Sequence, residues 1–123
     1  MRVVKRGDLK VFPLFGDISG RIIFFSDRMM FLLVEIPPRG IVPEHSHPHE
    51  QMGICLKGRA EFISKGEKTR VDEGTFYWIE PEERHSIISI VDEPSLFLDV
   101  FSPPRDDYIK KTKDHGKTPI RRE

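Results

Sequence analysis

The chain has no asparagine, one glutamine (Gln51) and one cysteine (Cys55). A lone cysteine excludes an intramolecular disulfide. Its setting, Gly53-Ile54-Cys55-Leu56, is that of a small buried hydrophobe rather than a nucleophile. Long apolar runs are also missing, so no segment has the length that a bilayer span requires. The first ten residues are mixed and charged, without the apolar stretch of a secretory signal. Neither sign of charge dominates: 20 Lys and Arg balance 20 Asp and Glu. That balance removes the basic excess of a nucleic-acid binder. The expectations are no nucleic acid, no membrane and a cytoplasmic location. Scarce amides beside abundant Lys, Arg and Glu fit the thermophile pattern.

What is present fits one globular domain. The 123 residues are 37% apolar and 33% charged, enough for a core without staples. Short β-rich segments recur: 21–25, 31–36, 53–56, 60–64, 75–79, 86–91 and 96–101. Gly, Pro, Asp and Glu interrupt them. Lys57-Gly58 and Ser64-Lys65-Gly66-Glu67 read as hairpin turns. Pro37-Pro38 and Pro103-Pro104 stiffen two connections. No amphipathic helix is evident before residue 105. The pattern predicts an all-β sandwich or barrel over 1–105. Residues 106–123 then read as a charged C-terminal tail, with Tyr108 and Ile109 its main apolar anchors.

The chemistry concentrates in His45-Ser46-His47-Pro48-His49-Glu50-Gln51 and in His85 downstream. In an extended strand, residues two apart share a face, so His45 and His47 point the same way. Two imidazoles on one face suit zinc, nickel, copper or iron, but they need further ligands. His85 follows a second turn-rich segment that could fold over the first. The alternative is a solvent-exposed histidine loop. His49 and Gln51 share a face only if Pro48 introduces no bend, and His49 is read as solvent-facing. Glu50 is read as capping the loop or supporting a ligand imidazole.

Gly40, His45, His47, Gln51 and Gly58, followed by Gly74, Pro81 and His85, resemble the two motifs of the cupin family. The resemblance implies a double-stranded β-helix, or jelly-roll barrel, with one divalent metal ion held by His45, His47, Gln51 and His85 near one mouth. Zinc, nickel, manganese, iron and copper all stay open. One departure lies in the second motif. Its usual Pro-x-Gly turn is replaced by Glu80-Pro81-Glu82-Glu83-Arg84, so this turn must be built differently. With a neutral amide at position 51, the protein leaves the ion's charge uncompensated, which favours an anionic ligand.

Leu96-Phe97-Leu98-Asp99-Val100-Phe101 alternates with period two. Leu96, Leu98 and Val100 share one face, and Phe97, Asp99 and Phe101 the other. A carboxylate between two phenylalanines in a metal-bearing cavity is a candidate general acid or base. The alternative is an edge position or a structural pair with Arg105. Arg105 follows a stiff bend and suits a bidentate grip on a carboxylate. Together these groups suit a small sugar acid.

The phrases HSHPHEQ and LDVFSPPRDDY are similar to those of KdgF-type pectin-degradation cupins. That resemblance implies linearisation of 4,5-unsaturated uronates to 5-keto-4-deoxyuronate. It also implies proton transfer by Asp99, a sugar-site wall from Phe101 and a substrate-carboxylate contact from Arg105. A metal-dependent cupin dioxygenase and a non-catalytic small-ligand-binding cupin are the competing functions. A homodimer is expected from the resemblance and from the many apolar strand residues.

Overall fold

A computed structural model describes residues 1–114. A single 3-10 turn at Arg6–Asp8 precedes ten strands and one helix. In chain order these are β1 (Phe12–Phe15), β2 (Ile18–Phe25), β3 (Met30–Ile36), β4 (Ile41–His45) and β5 (Glu50–Lys57). There follow β6 (Arg59–Ser64), β7 (Glu67–Asp72), β8 (Phe76–Ile79), β9 (His85–Ser89), β10 (Ser95–Ser102) and α1 (Asp106–Asp114).

The strands form two sheets, ordered β1-β2-β3-β10-β5-β8 and β4-β9-β6-β7. Every pairing within them is antiparallel. The sheets face each other around a core that includes Phe12, Met30, Leu32, Ile36, Cys55 and Phe97. This is the all-β barrel that the strand pattern predicts, in the jelly-roll form that the resemblance implies, and Cys55 is indeed a buried hydrophobe. β10 alternates as expected: Phe97, Asp99 and Phe101 are buried inward, while Leu98 and Val100 are half-covered on the outer face.

One local expectation holds and two are corrected. Ser64 and Glu67 pair across Lys65-Gly66, so that turn is a hairpin. Lys57-Gly58 is not one, because β5 and β6 lie in different sheets. It is a corner, where a Cβ on Gly58 (φ +91°) would lie 2.2 Å from Ser95 Oγ. The charged stretch after Arg105 is a helix as far as Asp114 rather than a solvated tail. Tyr108 and Thr112, one helical turn apart, are buried, and Tyr108 meets Phe12, Phe15 and Phe101 edge-on. Residues 115–123 of the expected tail lie outside the described residues.

The departing motif also has its physical answer. Glu83 N donates to Glu80 O (3.1 Å), closing a turn with Pro81 second and Glu82 third. Glu82 takes φ +67°, the backbone setting where glycine is favoured. The Glu83 side chain takes over part of the turn. It accepts from Glu80 N at 3.1 Å and from the Ser64 hydroxyl at 2.6 Å. Glu82 N donates to His47 O at 2.8 Å, which ties the histidine loop to the turn before His85.

Candidate metal centre and active site

His45 ends β4 and His85 opens β9, and the two are register partners. Their rings therefore stand side by side, with centroids 4.4 Å apart. His47 lies in the loop beyond β4 rather than in a continuing strand, and its ring reaches to 5.1 Å from that of His85. One ring nitrogen from each of His45, His47 and His85 lies within 4.8 Å of the others, a spacing that could hold a metal ion.

The backbone fixes the tautomers. His45 Nδ1 lies 2.9 Å from Pro43 O, His47 Nδ1 3.0 Å from His49 O, and His85 Nδ1 2.7 Å from Glu83 O. A carbonyl only accepts, so each Nδ1 carries the proton and each Nε2 keeps its lone pair. Burial, followed by the nearby charges of Arg105 and His85, holds His47 down at about 4. Burial also lowers His85. The neutral imidazole, the form that binds metals, is thus favoured at neutral pH.

Gln51 opens the inward face of β5, across the barrel. Its Oε1 is 3.1 Å from His47 Nε2, although both atoms are acceptors when Nδ1 holds the ring proton. Two lone pairs aimed at each other from buried side chains fit a cation between them. The donor set therefore suits a divalent metal ion.

β10 brings Asp99 to the same cavity. Tyr77, on β8, donates its hydroxyl to Asp99 Oδ1 at 2.6 Å, and the Gln51 amide donates to the same carboxyl group. Burial pushes Asp99 up to about 6, against the pull of those bonds and of Arg105. Tyr77 rises well above its ordinary value because it is buried and faces Asp99.

Asp99 is not paired structurally with Arg105. The Arg105 Nε and Nη2 instead donate to the two Asp107 carboxylate oxygens at 3.0 and 2.9 Å. The guanidinium lies 4.0 Å from the Tyr108 ring centroid and 5.0 Å from that of Phe101. This clamp holds a buried arginine at the wall of a cavity also lined by His45, Gln51, His85, Asp99 and Phe101.

Of the site residues picked from the sequence, His45, Gln51, His85, Asp99, Phe101 and Arg105 line one cavity, and His47 adjoins it through His85 and Gln51, whereas two neighbours behave differently. His49 stands outside the three-histidine group and is half-buried rather than solvent-facing, with Nδ1 unpartnered among the described residues. Glu50 accepts from Trp78 Nε1 at 2.9 Å and supports no ligand imidazole. Sequence reasoning missed Tyr77, Gly53 and Asp107. Asp107 could have been found: two acidic residues directly after Pro-Pro-Arg are a helix-start signal.

A two-sheet barrel with a histidine cluster at one mouth defines a class of metal-capable β-barrel proteins. A cupin-domain family model matches residues 32–101, and the chain belongs to the cupin family. It is 33% identical over 96 residues to the pectin degradation protein KdgF of Dickeya dadantii, a match covering 76% of this chain and 86% of that protein. It is 34% identical over 95 residues to the H2HPP isomerase of Bacillus subtilis, covering 76% of this chain. The match spans only 40% of that isomerase. Among solved structures, KdgF from Halomonas sp. superimposes with a TM-score of 0.78 at 25% identity, covering 85% of this chain and 94% of that one. No described helix is long and apolar enough to cross a membrane.

Proposed function

We propose that this chain is a metal-dependent enzyme acting on small sugar acids, and that it linearises 4,5-unsaturated uronates to 5-keto-4-deoxyuronate. One observation carries the reading. Three imidazoles spaced to share a metal ion, a carboxyl group poised at about 6 and a buried arginine meet at one cavity. The resemblance to KdgF supports the same substrate class.

His45, His47, Gln51 and His85 would hold the ion. When bound, it would supply Lewis acidity towards substrate oxygens. Arg105 binds the substrate carboxylate, and Phe101 forms the wall against the ring. Asp99 takes the proton of the C1 hydroxyl as the bond between C1 and the ring oxygen breaks. The ring oxygen leaves as the C5 enolate, and a proton returned to C4 gives the C5 ketone. The net change moves one proton from O1 to C4, with no oxidant or reductant. A carboxyl group near 6 suits both directions of that transfer. The cavity is narrow, about 40 Å³, so a sugar ring enters as side chains at its rim shift outward.

The test is loss of enol-ether absorbance from unsaturated galacturonate with metal-loaded protein. Metal-dependent acceleration that vanishes in Arg105→Ala supports the reading. No acceleration with metal bound refutes it. The second reading is isomerase activity on H2HPP, favoured by the 34% identity to that isomerase; turnover of H2HPP with unsaturated galacturonate untouched would establish it.

The proposal includes a homodimer formed through the outer face of the six-stranded sheet. Phe31, Val100, Met52 and Trp78 stand in one register row, and Leu33, Leu98, Ile54 and Phe76 in the next. Phe76 is 76% and Trp78 59% exposed. The rows cross four strands, roughly 15 Å, and a contiguous apolar patch of this kind favours a self-complementary partner.

A further inference from the structure

Gln51 is the only side-chain amide in the chain, and it stands between a buried carboxyl group and a buried imidazole. We propose that Asp99, itself held by Tyr77, is a positioning residue that turns the Gln51 amide so that its oxygen faces the cation site. This rests on the metal-site part of the proposed function and is independent of the uronate reading.

An amide rotated by half a turn exchanges its oxygen and its NH₂ with almost no change of shape. One orientation offers a lone pair to the ion. The other offers two N–H groups to it and abolishes the ligand. Packing cannot choose between them, but a fixed acceptor on one side can. Asp99 is such an acceptor: it is 5% exposed, and a carboxylate takes hydrogen bonds without giving any. Asp99 and Gln51 share the inward face of paired strands one register step apart, and the Gln51 amide acts on the Asp99 carboxyl group as a hydrogen-bonding neighbour that favours its charged form, while Oε1 lies 3.1 Å from His47 Nε2.

Asp99 needs an anchor of its own, and the sheet supplies it. Gly53 is the register partner of Asp99 on one side and of Tyr77 on the other. A Cβ there would lie 2.5 Å from both Asp99 Oδ1 and the Tyr77 hydroxyl. The missing side chain is the space in which Tyr77 reaches across an intervening strand to Asp99. A glutamate at position 51 would instead press a second buried carboxylate against Asp99. An amide can bond a carboxylate through one end and a cation through the other, which accounts for the sole glutamine lying within the histidine cluster.

Because the chain has no asparagine and one glutamine, a ¹H–¹⁵N correlation spectrum of the full protein holds one side-chain amide pair, that of Gln51. In the metal-free protein this pair should be unequal, with one proton shifted downfield by Asp99 and slow to exchange with water. Zn²⁺ should move the pair together with the histidine signals. Asp99→Ala should return the pair to ordinary shifts and weaken Zn²⁺ binding about 10- to 100-fold. Asp99→Asn keeps a neutral acceptor and should recover most of both, with folding of each variant checked by thermal melts. The proposal is overturned if Zn²⁺ moves the histidine signals but not the Gln51 pair. It is also overturned if folded Asp99→Ala and Asp99→Asn both leave the pair and the Zn²⁺ affinity at wild-type values. Absence of any Zn²⁺ response refutes the metal site as well. Failure of uronate turnover with the expected amide behaviour would refute only the substrate reading.

Discussion

Replacing Gly53 with alanine tests how tightly the site is built into the sheet. The added methyl group would arrive 2.5 Å from Asp99 Oδ1, from Tyr77 Cζ and from the Tyr77 hydroxyl, well inside van der Waals contact. Gly53 sits between β10 and β8 with a partner on each side, so the strand cannot step away without breaking a ladder. Two costs follow. Overpacking a well-filled interior costs about 1–3 kcal/mol. Losing the 2.6 Å bond to the Asp99 carboxyl group costs about 1.5–3 kcal/mol for a hydrogen bond of this charged kind. Their sum, about 2.5–6 kcal/mol, is a large share of the ~5–15 kcal/mol that holds a domain together. Urea denaturation of the metal-free protein, followed by circular dichroism, should register the loss as a lower midpoint with an unchanged slope. Tyr77→Phe frees the ring from Asp99, so Gly53→Ala should cost at least about 1 kcal/mol less in that background. A Gly53→Ala variant within ~0.5 kcal/mol of wild type, in the range of an ordinary surface substitution, would refute the reasoning. So would an equal cost in both backgrounds.

Other predictions concern the rim, the turn and the outer face. Asp107→Ala releases the Nε edge of Arg105 and should raise KM for a uronate more than it lowers kcat, measured by steady-state kinetics. Burial pushes the Asp107 carboxyl group up, but the Arg105 hydrogen bonds and charge more than offset this and hold it below its ordinary value. Its contribution to stability is therefore present above the unfolded value of about 4 and lost as pH falls through the lower folded value. Wild type and Asp107→Asn should accordingly differ in melting temperature near neutrality and converge at strongly acidic pH. Glu82→Gly relieves a left-handed backbone setting worth about 1–2 kcal/mol against an unfolded-state entropy cost of about 0.4–1 kcal/mol. The variant should be about 0.5 kcal/mol more stable by urea melts, and a destabilised variant would contradict the turn geometry. Phe76→Glu with Trp78→Glu should convert a dimer to a monomer in sedimentation at micromolar concentration without lowering the melting temperature of the monomer. An unchanged sedimentation coefficient would remove this face as the interface.

Much of the molecule was legible because its central strands carry alternating or continuous apolar runs. The strands that escaped, β1, β4 and β7, are all sheet edges. β1 and β4 contain Pro13 and Pro43, as edge strands tolerate. β7 reads EKTRVD and buries only Val71, so no apolar alternation marks it, and pairing with β6 makes it a strand. α1 has too few apolar positions for its period to stand out. In the site, His45, His47 and Asp99 were legible because spacing and period act within one segment, while Gln51 and His85 entered through the resemblance to the cupin motifs. Tyr77 and Gly53 were not, because they meet Asp99 only through the register of three strands. Tyr77 within Phe76-Tyr77-Trp78-Ile79 looks like any other strand aromatic.

The spread of the proposed ligands over both sheets carries a kinetic consequence. The proposed ligands come from β4, the loop after it, β5 and β9, which belong to both sheets. No single hairpin can assemble them, so the full set exists only once the barrel has closed. A bound ion should therefore slow unfolding far more than it speeds folding. The run from His45 to His49, by contrast, is local and places three imidazoles within five residues. It can hold a metal in the open chain, competing with the native set and reducing the net stabilisation. Refolding in excess metal should then pass through a slow phase that chelator removes, set by release from this early trap rather than by strand pairing.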